Sequence, residues 1–348
     1  MPGQTNAKGA NNLRVAVVGA GIMGSDHVIR IESRIVGATV SAIVEPDEVR
    51  AKAALATAPG AIWYPNIEAA IAADAMDAVL IATPGQFHEP VLIPAIAAGL
   101  PILCEKPLAP NAEISLRIVE AETAAGKQLV QVGFMRRFDT EYMQLRELIA
   151  ERKLGELLGL HCKHRNPDVP ETYFNDMLIF DSLVHEIDIV RFLTDSPIKS
   201  VEIKHFKRNS NAPEGLNEPI LALFETESGV LANVEMNVNV RFGYQVKTEA
   251  VFENGIADIG RVGGMELSFD SAITKTEHVT YTTRFAPAYD SQIQRWVNAV
   301  ALGKIDGPST WDGYLAAAAV EAGLEALRTG KKVDVKYTSI PKLYSLAS

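Results

Sequence analysis

Residues 13–18 are apolar but for Arg14, and the run stops at a glycine. A strand covered on both faces reads this way, because neither side meets water. The pattern then predicts a helix over 22–33, a strand over 39–44, a helix over 47–57 and a short strand over 62–64. Residues 77–82 read as another strand, and 88–98 read as helix although Pro90 and Pro94 disturb it. Residues 101–104, 111–125 and 128–133 read as strand, helix and strand, with Asn111 or Pro110 near the helix cap. Strands that alternate with helices predict a parallel, doubly wound sheet.

Beyond residue 133 the grammar changes. One helix over 140–153 leads into strand-like segments at 157–165, 198–206, 220–225, 230–240, 244–252 and 255–259. Turn signals such as Glu227-Ser228-Gly229 and Glu253-Asn254-Gly255 separate several of them, which predicts a mostly antiparallel open sheet. A helix over 175–193 interrupts the run, and helices over 290–302 and 310–329 follow. The expected organisation is a Rossmann-type α/β domain over 11–133 and an α+β domain over 134–335.

At 348 residues the chain exceeds what one core usually supports, which agrees with two domains. The 47% hydrophobic and 22% charged fractions are ordinary for a globular protein. A formal charge of −10 with no basic cluster argues against a nucleic-acid partner. The most apolar stretch, 91–104, is too short to span a bilayer and contains Pro94 and Pro101. Cys104 and Cys162 cannot build a disulfide framework, and residues 1–12 lack an apolar leader segment, so a reducing, cytoplasmic setting is expected.

Three motifs carry candidate chemistry. The hexad Gly19-Ala20-Gly21-Ile22-Met23-Gly24 follows a strand and opens a helix, so its amides and the helix dipole can face a pyrophosphate. Glu45 stands at the end of the second strand, where a carboxylate can accept ribose hydroxyls and repel an added phosphate. No arginine or lysine directly follows it, which favours NAD; the competing reading is a helix-capping surface acid. Ala82-Thr83-Pro84 closes the fourth strand on the same crevice edge, and His88 either touches the cofactor or caps the next helix. Glu105-Lys106-Pro107 closes the fifth strand, where an ammonium can stabilise a developing alkoxide. A cis bond before Pro107 would aim the lysine inward.

The third motif is Asp181, His185 and Asp188, spaced to share one face of a helix. Imidazole can take a hydroxyl proton near neutrality, and Asp181 can orient it or bind a second hydroxyl. A solvated stripe on a helix packed from behind is the alternative. A metal is disfavoured: His161-Cys162-Lys163-His164 alternates across a strand, and no CxxC or HExxH pattern is present.

Taken together, these motifs resemble the glucose–fructose oxidoreductase, inositol dehydrogenase and rhizopine catabolism family (Gfo/Idh/MocA), over about residues 13–335. Gly133-Phe134-Met135-Arg136-Arg137-Phe138-Asp139 and His164-Arg165 make the inositol-dehydrogenase branch the most similar. The resemblance implies Lys106, Asp181 and His185 as the catalytic group, with His185 the proton acceptor and Lys106 contacting both cofactor and substrate. It also implies that Met135, Arg136, His164, Asp188, Tyr244 and Tyr289 line the substrate pocket. The implied reaction is NAD-dependent oxidation of myo-inositol at its 2-hydroxyl, by a homo-oligomer, commonly a tetramer. Another cyclitol or pyranose as substrate, or a non-catalytic NAD-binding regulator, are the alternatives. Glu45 departs from the aspartate more usual in the family.

Overall fold

The computed structural model describes residues 12–261, 263 and 266–345; the loose tail expected before residue 12 lies outside that range. The chain forms two compact units. The first holds the described residues up to 133, Asp290–Trp311 and residues 340–345; the second holds Phe134–Tyr289 and Asp312–Ser339. This differs from the continuous second domain expected over 134–335. The chain returns at Asp290 because Ile293, Trp296 and Val297 are buried in the first unit's core, in one cluster with Val28, Ile31 and Leu80.

The first unit alternates β1 (Leu13–Val18), α1 (Ile22–Arg34), β2 (Ala38–Val44), α2 (Glu48–Leu55), β3 (Ile62–Tyr64), α3 (Ile67–Ala72), β4 (Ala78–Ile81), α4 (Glu89–Ala97), β5 (Ile102–Glu105), α5 (Ala112–Ala125) and β6 (Val130–Gly133). Its six strands lie in the order β3-β2-β1-β4-β5-β6, and every neighbouring pair is parallel. Chain order reverses between β1 and β4, the switch point at which doubly wound sheets hold ligands. The ends of α2 and α5 are set by side chains: Asp47 accepts from the amides of Val49 and Arg50, and Asn111 from that of Ile114.

The second unit contains α6 (Thr140–Glu151), β7 (Leu157–Arg165), α7 (Val184–Thr194), β8 (Ile198–His205), β9 (Ile220–Thr226), β10 (Leu231–Asn237), β11 (Gln245–Phe252), β12 (Gly255–Ile259), β13 (Glu266–Phe269) and β14 (Ala272–Lys275). The long helix α8 (Tyr281–Ala301) follows, then α9 (Thr310–Thr329) and β15 (Val333–Asp334). Helix α8 begins nine residues before the expected start at 290 and runs through Pro287. A seven-stranded sheet has the order β12-β11-β7-β10-β9-β8-β15, in which only β7 and β10 run parallel. Leu160, Cys162 and His164 of β7 are buried while His161 and Lys163 between them are exposed, the alternation of a sheet covered on one face. Among the described residues, no helix is long and apolar enough to cross a membrane.

Candidate active site

The glycine turn of the first unit is built for a ligand. Gly19 adopts φ +92°, and a Cβ there would stand 3.0 Å from the backbone of Ala82. A Cβ on Gly24 would fall 1.8 Å from the Gly19 carbonyl oxygen, so α1 can pack this closely only with glycine. Gly21 is the opposite case: a Cβ would meet nothing within 4 Å, which leaves open space in front of the turn. Gly21 also caps α1 with no side-chain hydrogen bond to the first amides. Open space, an uncapped helix start and the helix dipole together fit a pyrophosphate. Ile22 beside them is strongly exposed. The Thr83 hydroxyl just past β4 is buried with no hydrogen-bond partner among the described residues, a second group suited to a bound polar ligand.

Glu45 is buried rather than a surface acid. Its Oε2 accepts from the Ala20 amide at 2.8 Å, tying the end of β2 to the glycine turn. Its Oε1 accepts from the Asp47 amide at 3.0 Å and from the Arg50 guanidinium at 2.9 Å. Burial works against the charge, yet these donors outweigh it and hold the carboxyl below its ordinary range. Reading only the residues directly after Glu45 overlooks Arg50, because the turn into α2 brings it back.

His88 stands at the N-cap position of α4, with no side-chain cap hydrogen bond, and its ring is turned to backbone carbonyls. It is fully buried, with Nε2 2.7 Å from the Thr83 carbonyl and Nδ1 2.9 Å from that of Pro107. Burial pushes its pKa below the ordinary histidine value, so the neutral ring has one N–H for these two acceptors. His88 thus braces the loops that close β4 and β5.

Lys106 is half-buried at the end of β5, and its peptide bond to Pro107 is cis, as expected. The Glu105 carboxylate accepts from the Lys106 amide at 3.2 Å and faces His27 Nε2 at 2.8 Å. His27, on α1 one turn beyond the hexad, is fully buried. The sequence reading gave it no role.

In the second unit, Asp181 lies in a π-helical stretch, Leu178–Leu183, that runs into α7. The Tyr173 hydroxyl bonds to the Met177 carbonyl and to Ser182 Oγ, both at 2.7 Å, inserting beside this widened turn. Such π turns are frequent at functional sites. Asp181 and His185 are both half-buried, whereas Asp188 is 1% exposed and does not continue their stripe. Arg137 holds it, with Nε 3.0 Å from Oδ2, and also reaches Asp312 at 3.0 Å.

Glu186 points the other way and is equally buried. It accepts from the Arg136 guanidinium and lies 3.0 Å from His164 Nδ1. Burial alone would raise the Glu186 pKa, but Arg136 and His164 bring it below the usual value. Of the residues expected to line the pocket, Arg136 and His164 thus face Glu186, and Asp188 faces Arg137. The His164 ring stands edge-on to His185, centroids 6.4 Å apart, and to Tyr244 at 6.0 Å. Tyr244 also meets Phe285 at 6.3 Å, and burial pushes its phenol up to about 12. Met135 and Tyr289 are both buried.

Residues 13–134 match the family described as "Oxidoreductase family, NAD-binding Rossmann fold", and residues 142–258 match the "GFO/IDH/MocA C-terminal domain". The chain belongs to the Gfo/Idh/MocA oxidoreductases. It is 58% identical over 337 residues to an inositol 2-dehydrogenase of Corynebacterium glutamicum, covering 97% of this chain and 100% of that protein. An inositol 2-dehydrogenase of Leifsonia xyli is 56% identical over 335 residues, 96% of this chain and 98% of the relative. Among solved structures, myo-inositol dehydrogenase from Lactobacillus casei, in complex with NAD(H) and myo-inositol, superposes with TM-score 0.93 at 32% identity. That match covers 96% of this chain and 99% of the other. In this Gfo/Idh/MocA oxidoreductase the first unit is accordingly an NAD-binding Rossmann fold.

Proposed function

We propose that this protein oxidises myo-inositol at the 2-hydroxyl to the 2-keto cyclitol. NAD, when bound, supplies the hydride acceptor. Lys106 donates a hydrogen bond to the reacting hydroxyl and stabilises the negative charge that develops on its oxygen. The His185 imidazole takes the hydroxyl proton as the C–H bond breaks. Asp181 orients that imidazole or holds a second hydroxyl, so that one carbinol among several similar ones is presented. The buried layer of Arg136, Glu186 and His164 keeps His185 in place from behind. Glu45 receives the ribose, and the amides of the glycine turn receive the pyrophosphate.

The observation that carries this reading is the full-length similarity to proteins named inositol 2-dehydrogenase, with Lys106, Asp181 and His185 all present and half-buried. Retention of all three speaks against a non-catalytic regulator. Self-association through the outer face of the seven-stranded sheet belongs to the same reading, and sedimentation tests it. For the activity, the test is NADH absorbance with a panel of myo-inositol, scyllo-inositol, an amino-cyclitol and glucose. Myo-inositol should give the highest kcat/KM. Brisk turnover of a pyranose with none of myo-inositol would overturn the choice of substrate.

A further inference from the structure

The ribose corner of the first unit carries a cation beside its acid. Arg50 donates to Glu45 Oε1 at 2.9 Å, the oxygen that also receives the Asp47 amide. A third contact, from the Ala20 amide, fixes Oε2, so the carboxylate has little freedom to swing away from the arginine. The Arg50 side chain is 55% exposed, and among the described residues its guanidinium hydrogen-bonds Glu45 alone. Its five N–H groups form a planar fork suited to phosphate, and most of them remain available. The other charges here are Asp47, 3.8 Å from the guanidinium, and Glu48, which is paired with Lys52 at 2.8 Å.

A carboxylate that takes a ribose 2′-hydroxyl repels a phosphate at that position, while a nearby arginine accommodates it. Both groups occupy this corner. We propose that Arg50 sets the cofactor discrimination of this protein: it neutralises Glu45 and offers its free N–H groups to a 2′-phosphate, so that NADP is a second, weaker ligand. The inference rests on the reading of Glu45 as the ribose acid. Two acids against one paired cation leave NAD the preferred cofactor.

The test is fluorescence titration of the full chain with NADH and with NADPH, which reads binding without turnover. Wild type should bind both, NADH more tightly. Arg50→Ala should weaken NADPH by about tenfold or more and leave NADH within about threefold, since a charge-assisted contact to phosphate is lost. Arg50→Lys should fall between, because a point charge replaces the fork. Glu45→Gln should weaken NADH and strengthen NADPH. Parallel weakening of both cofactors in Arg50→Ala, no weakening of either, or no saturable NADPH binding by wild type would overturn the proposal. Unchanged NADH binding in Glu45→Gln would remove the ribose reading itself, a failure distinct from that of Arg50.

Discussion

His27 Nε2 lies 2.8 Å from Glu105 Oε1, and this buried contact fastens the helix after the glycine turn to the strand end that bears Lys106. The other oxygen of Glu105 accepts from the Lys106 amide. One carboxylate therefore sets the lysine backbone relative to the cofactor turn. Glu105→Gln keeps the volume but loses the charge, and small misplacements of a reacting group are costly. We expect kcat to fall about 10- to 100-fold while NADH affinity changes little. Steady-state rates alongside fluorescence titration check this; an unchanged kcat would leave the contact without a catalytic role.

His185→Ala should retain NADH binding and lose about 10²- to 10⁴-fold in kcat, the usual worth of a positioned proton acceptor. Lys106→Met should lower kcat/KM by about 10²- to 10³-fold through loss of oxyanion stabilisation. Turnover of either variant at the wild-type rate would take that residue out of the mechanism.

Glu186 holds Arg136 and lies against His164 inside the second unit, with all three side chains buried. Removing the carboxylate strands a buried guanidinium. Glu186→Ala should therefore lower stability by about 3–5 kcal/mol in urea denaturation. Arg136→Met added to it should recover much of that loss, because the uncompensated charge goes as well. Additive losses in the double variant would show that the pair is not coupled.

His88 gives a pH dependence. Its folded-state pKa lies below the ordinary value because of burial, so on acidification the unfolded chain takes up the proton first. Its contribution to stability is full above about pH 6.5 and is lost as pH falls from there through the folded pKa. Thermal melts of wild type should decline over that range more steeply than those of His88→Asn, which cannot titrate. Parallel slopes would contradict the assignment.

Much of the first unit was legible because the strands of a parallel sheet write themselves as short, mostly apolar runs. Residues 13–18 and 62–64 are strands with the bounds read from the sequence, and the hexad sits between strand and helix as expected. Helix α3 and the β13–β14 hairpin were missed, since a six-residue helix and an exposed pair of short strands leave little periodicity. In the site, Lys106 and His185 stood out by motif. Their supports did not. Glu186 and His27 are polar groups in helix patterns, and only contacts distant in sequence distinguish them from surface residues. The Asp181 spacing was read as α-helical, whereas Tyr173 inserts beside a π turn that spacing alone does not reveal. Asp188 was read as facing a pocket because its partner Arg137 lies in a different segment.

The central claim concerns which bond breaks. Myo-inositol carrying deuterium at carbon 2 should turn over more slowly than the unlabelled compound, and the label should be recovered at C4 of the reduced nicotinamide. Unlabelled NADH from that substrate would contradict oxidation at the 2-position, and an absence of NADH would contradict the activity altogether.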